Sequence, residues 1–148
     1  MTEKFAALDK NGNEIEISLD EYKGQKIVLY FYPKDNTSGC TKEACDFRDN
    51  LNRITSVATL IGVSPDSIKS HEKFKNNHSL NFLLISDPEH KLAAQFDVWK
   101  EKSMYGRKYM GIERSTFILD TEGKTEKEWR KVKVKGHVDE VLSYLKTT

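Results

Sequence analysis

The sequence is poor in several features at once. It has 148 residues with only two cysteines, three prolines and two tryptophans. Two cysteines cannot build the disulfide framework that staples small secreted domains. They are Cys40 and Cys45, and their spacing is not the C-x-x-C of dithiol redox motifs. An excess of one charge is also missing, because 24 Lys and Arg against 23 Asp and Glu leave a net charge of +1. That balance gives no general attraction to nucleic acid or to an anionic membrane. The longest apolar run, Ile27 to Tyr32, is far below the roughly 20 residues of a spanning helix. Met1-Thr2-Glu3-Lys4 shows no apolar signal core, so export is not expected. His71, His78, His90 and His137 are scattered and read as surface or helix residues. They follow no metal-ligand spacing, and no metal or other cofactor is expected. No glycine-rich phosphate loop, internal repeat or low-complexity segment is present.

What remains is 37% hydrophobic and 32% charged, as expected of one domain over residues 1–148 with a single core and a polar surface. Phe5 to Leu8 and Glu14 to Leu19 flank Asn11-Gly12-Asn13, a hairpin signal. Asp20 to Gly24 reads as a turn. Ile27 to Tyr32 is β-branched and aromatic, a buried strand that Pro33 ends because Pro lacks the donor a central strand needs. A polar loop, Lys34 to Gly39, follows. From Cys40 on, Ala44, Phe47, Leu51 and Ile54 recur at helical spacing, and that helix is expected to end near Thr55. Val57 to Val63 and Phe82 to Ile85 read as strands. Ser67 to Asn77 and His90 to Phe96 read as helices. Ser103 to Gly111 reads as a loop or an extended hairpin arm. Ser115 to Asp120 and Glu126 to Val134 read as strands, with the lysine-rich Lys124 to Lys135 suiting a protected edge. Val138, Val141, Leu142 and Leu145 give His137 to Leu145 one apolar helical face. Trp99 and Trp129 read as packing residues. Strands alternating with helices make the class α/β, with a mixed sheet covered on both faces.

Cys40 stands where a strand hands over to a helix. A free thiol, with an ordinary pKa of about 8.5, is only a few per cent thiolate near neutrality. The first helical turn carries unpaired N–H groups and the positive end of the macrodipole, and both favour an anion. Thr37, three residues earlier, carries a hydroxyl able to donate to that thiolate or to an oxygen bound beside it. The alternative is a small buried cysteine behind an N-capping Thr. Cys45 is five residues on, and in an intact helix that spacing separates the Cα atoms by about 8–9 Å. A disulfide needs about 7 Å or less, so the pair can close only if the helix start unwinds. This argues against a permanent bridge, and such a pair fits a reducing compartment, the cytoplasm.

The stretches Tyr30-Phe31-Tyr32-Pro33-Lys34-Asp35-Asn36-Thr37 and Gly39-Cys40-Thr41-Lys42-Glu43-Ala44-Cys45-Asp46-Phe47-Arg48-Asp49 closely resemble the bacterioferritin comigratory protein (Q-type) branch of the peroxiredoxins. The general peroxiredoxin pattern, Pro-x-x-x-Thr-x-x-Cys, is matched by Pro33, Thr37 and Cys40. The resemblance continues through Gly62-Val63-Ser64-Pro65-Asp66, Leu84-Ile85-Ser86-Asp87-Pro88 and Gly111-Ile112-Glu113-Arg114-Ser115-Thr116-Phe117-Ile118-Leu119-Asp120. Two departures stand out: Ser38 replaces the Pro usual in this branch, and the lead-in before Phe5 is short.

The resemblance implies a thioredoxin-like fold and a thiol-dependent peroxidase acting on hydrogen peroxide and organic hydroperoxides. It implies Cys40 as the peroxidatic nucleophile and Cys45 as the resolving cysteine. Thr37, Gly39 and Arg114 would bind the peroxide, and Pro33 would shield the thiolate. Thioredoxin or a glutaredoxin-type dithiol would reduce the Cys40–Cys45 disulfide. The absence of a third cysteine favours a monomer. Two other classes stay open. A protein disulfide oxidoreductase would be expected to show C-x-x-C, and a redox sensor would oxidise once without turnover.

Overall fold

The apolar run behind Pro33 becomes an inner strand of the sheet, as its composition requires. In the computed structural model, which describes residues 3–147, β3 spans Lys26–Phe31. Alternate side chains of a strand point to opposite faces, and here both faces are apolar. Val28 and Tyr30, with Tyr32 just beyond, enter one core, while Ile27, Leu29 and Phe31 enter the other. A strand covered on both sides has no use for polar alternation, so the run is continuously hydrophobic.

The other strands are β1 (Phe5–Leu8), β2 (Glu14–Ile17), β4 (Ala58–Ser64), β5 (Leu83–Ser86), β8 (Ser115–Leu119) and β9 (Thr125–Trp129). Among the described residues these form a seven-stranded mixed sheet in the order β2-β1-β5-β4-β3-β8-β9. β3 runs parallel to β4 and antiparallel to β8, with Phe31 opposite Ser115. The N-terminal hairpin forms as expected, Phe5 pairing with Ile17 and Leu8 with Glu14. Helices α1 (Ser38–Asp49), α2 (Leu51–Thr55), α3 (Ile68–His78) and α5 (His137–Lys146) pack side chains into the core that holds Tyr30. The short α4 (Lys91–Gln95) covers the opposite face through Leu92 and Ala93. This is the mixed α/β architecture that the sequence pattern predicts, and helices on both faces are what a sheet with two apolar sides needs.

Three local details differ from the sequence reading, and the hairpin-arm reading of residues 103–111 is borne out. The turn after β2 is a 3₁₀ helix, Leu19–Tyr22. The cysteine helix breaks at Asn50 (φ −114°, ψ 13°), whose side-chain amide donates to the Asp46 carbonyl at 2.8 Å. Residues 103–111 belong to a separate two-stranded arm, β6 (Trp99–Met104) paired with β7 (Arg107–Ile112). β9 ends at Trp129 and does not reach Val134, because Lys131 takes a left-handed φ of 49° and Val132 N–H turns to the Arg114 carbonyl at 2.9 Å.

Gly62 is required by close packing. It sits opposite Tyr30, and a Cβ there would lie 3.0 Å from the Tyr30 ring and from Leu84 Cδ2. The space it leaves lets Tyr30 stack on Phe47 of α1 with ring centroids 4.6 Å apart, which seats the cysteine helix on the sheet. Among the described residues no helix is long and apolar enough to cross a membrane.

Candidate active site

The topology delivers Cys40 and Arg114 to one place. β3 ends at Phe31, and Pro33 and the loop after it lead into α1. β8 begins at Ser115, opposite Phe31, because the two strands are antiparallel. Arg114, the residue before β8, therefore arrives beside the start of α1 although it lies 74 residues from Cys40. Its backbone is held there by Val132 N–H on its carbonyl oxygen.

Thr37 is the N-cap of α1 and Cys40 the third helical residue. The first helical bond runs from Thr41 N–H to Thr37 O at 2.8 Å, so the N–H groups of residues 38–40 have no carbonyl of their own helix to meet. Cys40 is free, and only 2% exposed. Arg114 Nη2 donates to Cys40 Sγ at 3.2 Å, while Nη1 donates to Glu43 Oε1 at 2.6 Å. The planar guanidinium thus bridges the sulfur and a carboxylate with two separate N–H groups, a geometry that Lys cannot copy. A helix N-terminus and a guanidinium both attract an anion here. Gly39 lies against the guanidinium, where a Cβ would sit 3.4 Å from Arg114 Nη2.

Glu43 is the residue that sequence reasoning missed. It lies three positions after Cys40 on the buried face of α1, beside Ala44 and Phe47. A charged residue at that phase of an apolar stripe was the available signal. Its side chain is fully buried, and Oε2 has no hydrogen-bond partner among the described residues. Burial pushes its carboxyl up to about 7, against the pull of Arg114 in the opposite direction. Tyr30 Oη is likewise buried and unpartnered among the described residues. Burial, and then the charge of Glu43, hold that phenol well above its ordinary range.

Thr37 departs from the expected geometry. Its hydroxyl donates to the Lys34 carbonyl at 2.8 Å and closes the loop on itself; it makes no bond to Cys40 Sγ. The threonine oxygen remains exposed at the helix mouth. Pro33 is half-buried at the end of β3. Cys45 is free and half-buried on the same helix. Lys42 and Arg48 flank it at three residues on either side. The β6–β7 arm borders the site through Lys102. Burial, followed by the charge of Arg114, lowers the pKa of that amine.

The AhpC/TSA family model matches residues 2–127. Peroxiredoxin Bcp of Bacillus subtilis (strain 168) is 58% identical over 146 residues, 97% of this chain and 93% of that protein. The chain belongs to the AhpC/TSA family, among the Bcp peroxiredoxins. Peroxiredoxin Bcp of Xanthomonas campestris pv. campestris is 48% identical over 132 residues, 88% of this chain and 82% of that protein. A solved structure of the Xanthomonas campestris bacterioferritin comigratory protein, studied for its alkyl peroxide reduction activity, superposes with a TM-score of 0.91. It is 43% identical and covers 98% of this chain and 90% of its own. A Plasmodium yoelii thioredoxin peroxidase I, 24% identical, shares the fold at a TM-score of 0.85. The fold of this peroxiredoxin is accordingly thioredoxin-like, and its activity is that of a thiol-dependent peroxidase, an oxidoreductase with a hydroperoxide substrate and a thiol reductant.

Of the histidines read as surface or helix residues, His71 and His137 lie on α3 and α5 and are both buried. His137 Nε2 bonds the Thr116 hydroxyl at 2.8 Å, which makes it a packing residue. His71 belongs to a different network. Among the described residues no group of three or more His, Cys, Asp or Glu is arranged to hold a metal ion.

Proposed function

We propose that Cys40 is the peroxidatic nucleophile and Cys45 the resolving cysteine of this peroxidase. The observation that carries the assignment is Arg114 Nη2 at 3.2 Å from Cys40 Sγ, at the first turn of α1. The Cys40 thiolate attacks the terminal oxygen of a hydroperoxide. The S–O bond forms as the O–O bond breaks, two electrons leave sulfur, and the departing alkoxide or hydroxide takes a proton to become alcohol or water. Cys40 is left as a sulfenic acid. Ionisation alone does not make this fast, because nucleophilicity falls as pKa falls. Preorganised donors must meet the charge that develops on the departing oxygen. Arg114, the free N–H groups around Gly39 and Cys40, and the Thr37 hydroxyl are the donors at hand; Pro33 limits water at the sulfur. Supplying that oxygen requires Thr37 to give up its bond to Lys34 O, which is exposed and easily exchanged.

Cys45 then attacks the Cys40 sulfur, the S–S bond forms and water leaves. The helical spacing of about 8–9 Å makes this impossible without unwinding the start of α1. A dithiol of the thioredoxin or glutaredoxin type reduces the disulfide and is itself oxidised. The working form is a single-domain monomer over residues 1–148 in the cytoplasm, and the scheme calls for no cofactor.

The test is peroxide consumption with thioredoxin, thioredoxin reductase and NADPH. Cys40→Ser abolishes it. Cys45→Ser permits one stoichiometric oxidation and impairs cycling. Unimpaired cycling without Cys45 removes its resolving role, and a single oxidation by wild type without turnover reassigns the reductant or makes the chain a sensor.

A further inference from the structure

The loop that carries Pro33 and Thr37 is not held by the active site alone. At its centre is Asp35, 5% exposed. Tyr32 Oη donates to Asp35 Oδ1 at 2.6 Å, and the Ser70 hydroxyl donates to Oδ2 at 2.8 Å. His71 Nδ1 lies 2.6 Å from the same Oδ2, and its Nε2 lies 2.9 Å from the Ile85 carbonyl oxygen at β5. The Asp35 N–H donates to Asp66 Oδ2 at 2.7 Å. One residue on, Asn36 sits at a left-handed φ of 61° and accepts from Asn77 Nδ2 at 3.3 Å. The loop is therefore docked along α3, at Ser70, His71 and Asn77.

Geometry constrains the hydrogens of the pair. A carbonyl oxygen only accepts, so His71 Nε2 carries a hydrogen. The 2.6 Å contact between Nδ1 and Oδ2 requires a second hydrogen lying between the two atoms. Both side chains are 0–1% exposed. Parting them would leave a buried polar group without its hydrogen-bond partner, which is unfavourable.

We propose that His71 and Asp35 are positioning residues that latch the Pro33–Thr37 loop and thereby set the balance between the two steps at Cys40. The latched loop fixes the start of α1, where Arg114 and the free N–H groups face Cys40, and this is the form that reacts with peroxide. Cys45 closes on Cys40 only after that helix start unwinds, and a loop pinned five residues before Cys40 resists the unwinding. Releasing the latch slows oxidation and speeds closure. This inference rests on the assignment of Cys40 and Cys45 above.

Two substitutions at one position separate the latch from mere packing. His71→Asn retains an amide donor near the Nδ1 position and so keeps Asp35 bonded. His71→Gln reaches toward Ile85 O and deprives Asp35 of its partner at position 71. Both remove the same buried imidazole. Peroxide is mixed with reduced protein, quenched with a thiol-alkylating reagent at successive times, and the sulfenic and disulfide forms are quantified by mass spectrometry. His71→Gln is expected to lower the oxidation rate and raise the closure rate, changing their ratio by about tenfold or more, the factor matching one lost charge-assisted hydrogen bond. His71→Asn is expected to restore the ratio to within about threefold of wild type at a similar loss of melting temperature. Asp35→Asn, which keeps the acceptor for Tyr32, must shift the ratio in the same direction as His71→Gln and takes its place if that variant does not fold. A wild-type ratio in the variant with the severed latch, or an equal shift in His71→Asn, overturns the proposal. A wild-type protein that does not react at all overturns the Cys40 assignment instead.

Discussion

Replacing Glu43 by Gln tests the electrostatics of the site most directly. The carboxyl is raised from 4.5 to about 7, by burial first, with Arg114 opposing. At about 1.4 kcal/mol per tenfold change in proton affinity, the difference corresponds to about 3 kcal/mol. The folded-state value is the higher one, so between about 4.5 and 7 the folded protein keeps a proton that the unfolded chain has released. Stability is therefore full below about 4.5, falls as pH rises to about 7, and is level above. Gln is neutral throughout and similar in shape, so it lacks this slope. His137 works in the opposite sense: burial lowers its pKa below the usual imidazole value, so its contribution is lost as pH falls through that range. Both proteins contain His137, and the difference between their curves cancels it. Urea unfolding of the reduced proteins at half-unit steps from pH 4.5 to 8 supplies those curves. Relative to Glu43→Gln, wild type should lose about 2–3 kcal/mol across the window. A difference curve that is flat, or that slopes the other way, refutes the claim that Glu43 is buried against its charge.

Two further outcomes follow from the same geometry. Arg114→Lys keeps the charge but cannot serve Cys40 Sγ and Glu43 Oε1 with separate fixed donors. Losing one charge-assisted hydrogen bond, about 1.5–3 kcal/mol, should slow the oxidation of Cys40 about ten- to hundredfold by stopped-flow fluorescence, and an unchanged rate would take Arg114 out of the site. Gly62→Ala forces a Cβ to 3.0 Å from Tyr30 and Leu84. Overpacking of this kind costs about 1–3 kcal/mol, so the melting temperature should fall by roughly 3–10 °C, and a fall under about one degree would mean that Tyr30 yields freely.

The parts legible in the sequence are those encoded locally. The two-sided apolar run of β3, the turn at Gly12 and the helical spacing from Ala44 to Ile54 are each local, and each forms where the pattern places it apart from the break at Asn50. Cys40 in a first helical turn follows from Pro33 and that spacing. Arg114 was placed by resemblance alone, because 74 residues separate it from Cys40 and only the antiparallel β3–β8 pairing joins them. Residues whose partners lie far along the chain have environments that local spacing does not reveal. His71 finds Asp35 across 36 residues. Lys75 is 5% exposed in a polar-looking helix, its amine bonded to the Leu80 and Phe82 carbonyls at 3.0 and 2.7 Å. Burial lowers the pKa of that amine to about 8. A one-dimensional pattern assigns His and Lys to the surface on average, and tertiary partners decide the exceptions.

The proposed scheme asks two opposed things of the start of α1: rigidity while peroxide is bound, and unwinding afterwards. The site residues bear on both. Arg114 ties Cys40 to Glu43, and Ala44 and Phe47 are fully buried in the core, which holds the turn closed. Against them stands a buried carboxylate with one unpartnered oxygen. Unwinding returns Glu43 to water and recovers that desolvation cost, offsetting part of the packing lost with Cys40 and Ala44. Ser38 acts on the same balance from the unwound side. It is the first residue of α1 and exposed, a position where Pro fits a helix without strain. Relative to Pro at a compatible site, a freely rotating residue favours the disordered form by about 0.4–1 kcal/mol. On the proposed scheme, Ser38 in place of Pro therefore shifts the balance toward disulfide closure and leaves every proposed peroxide-binding group in place.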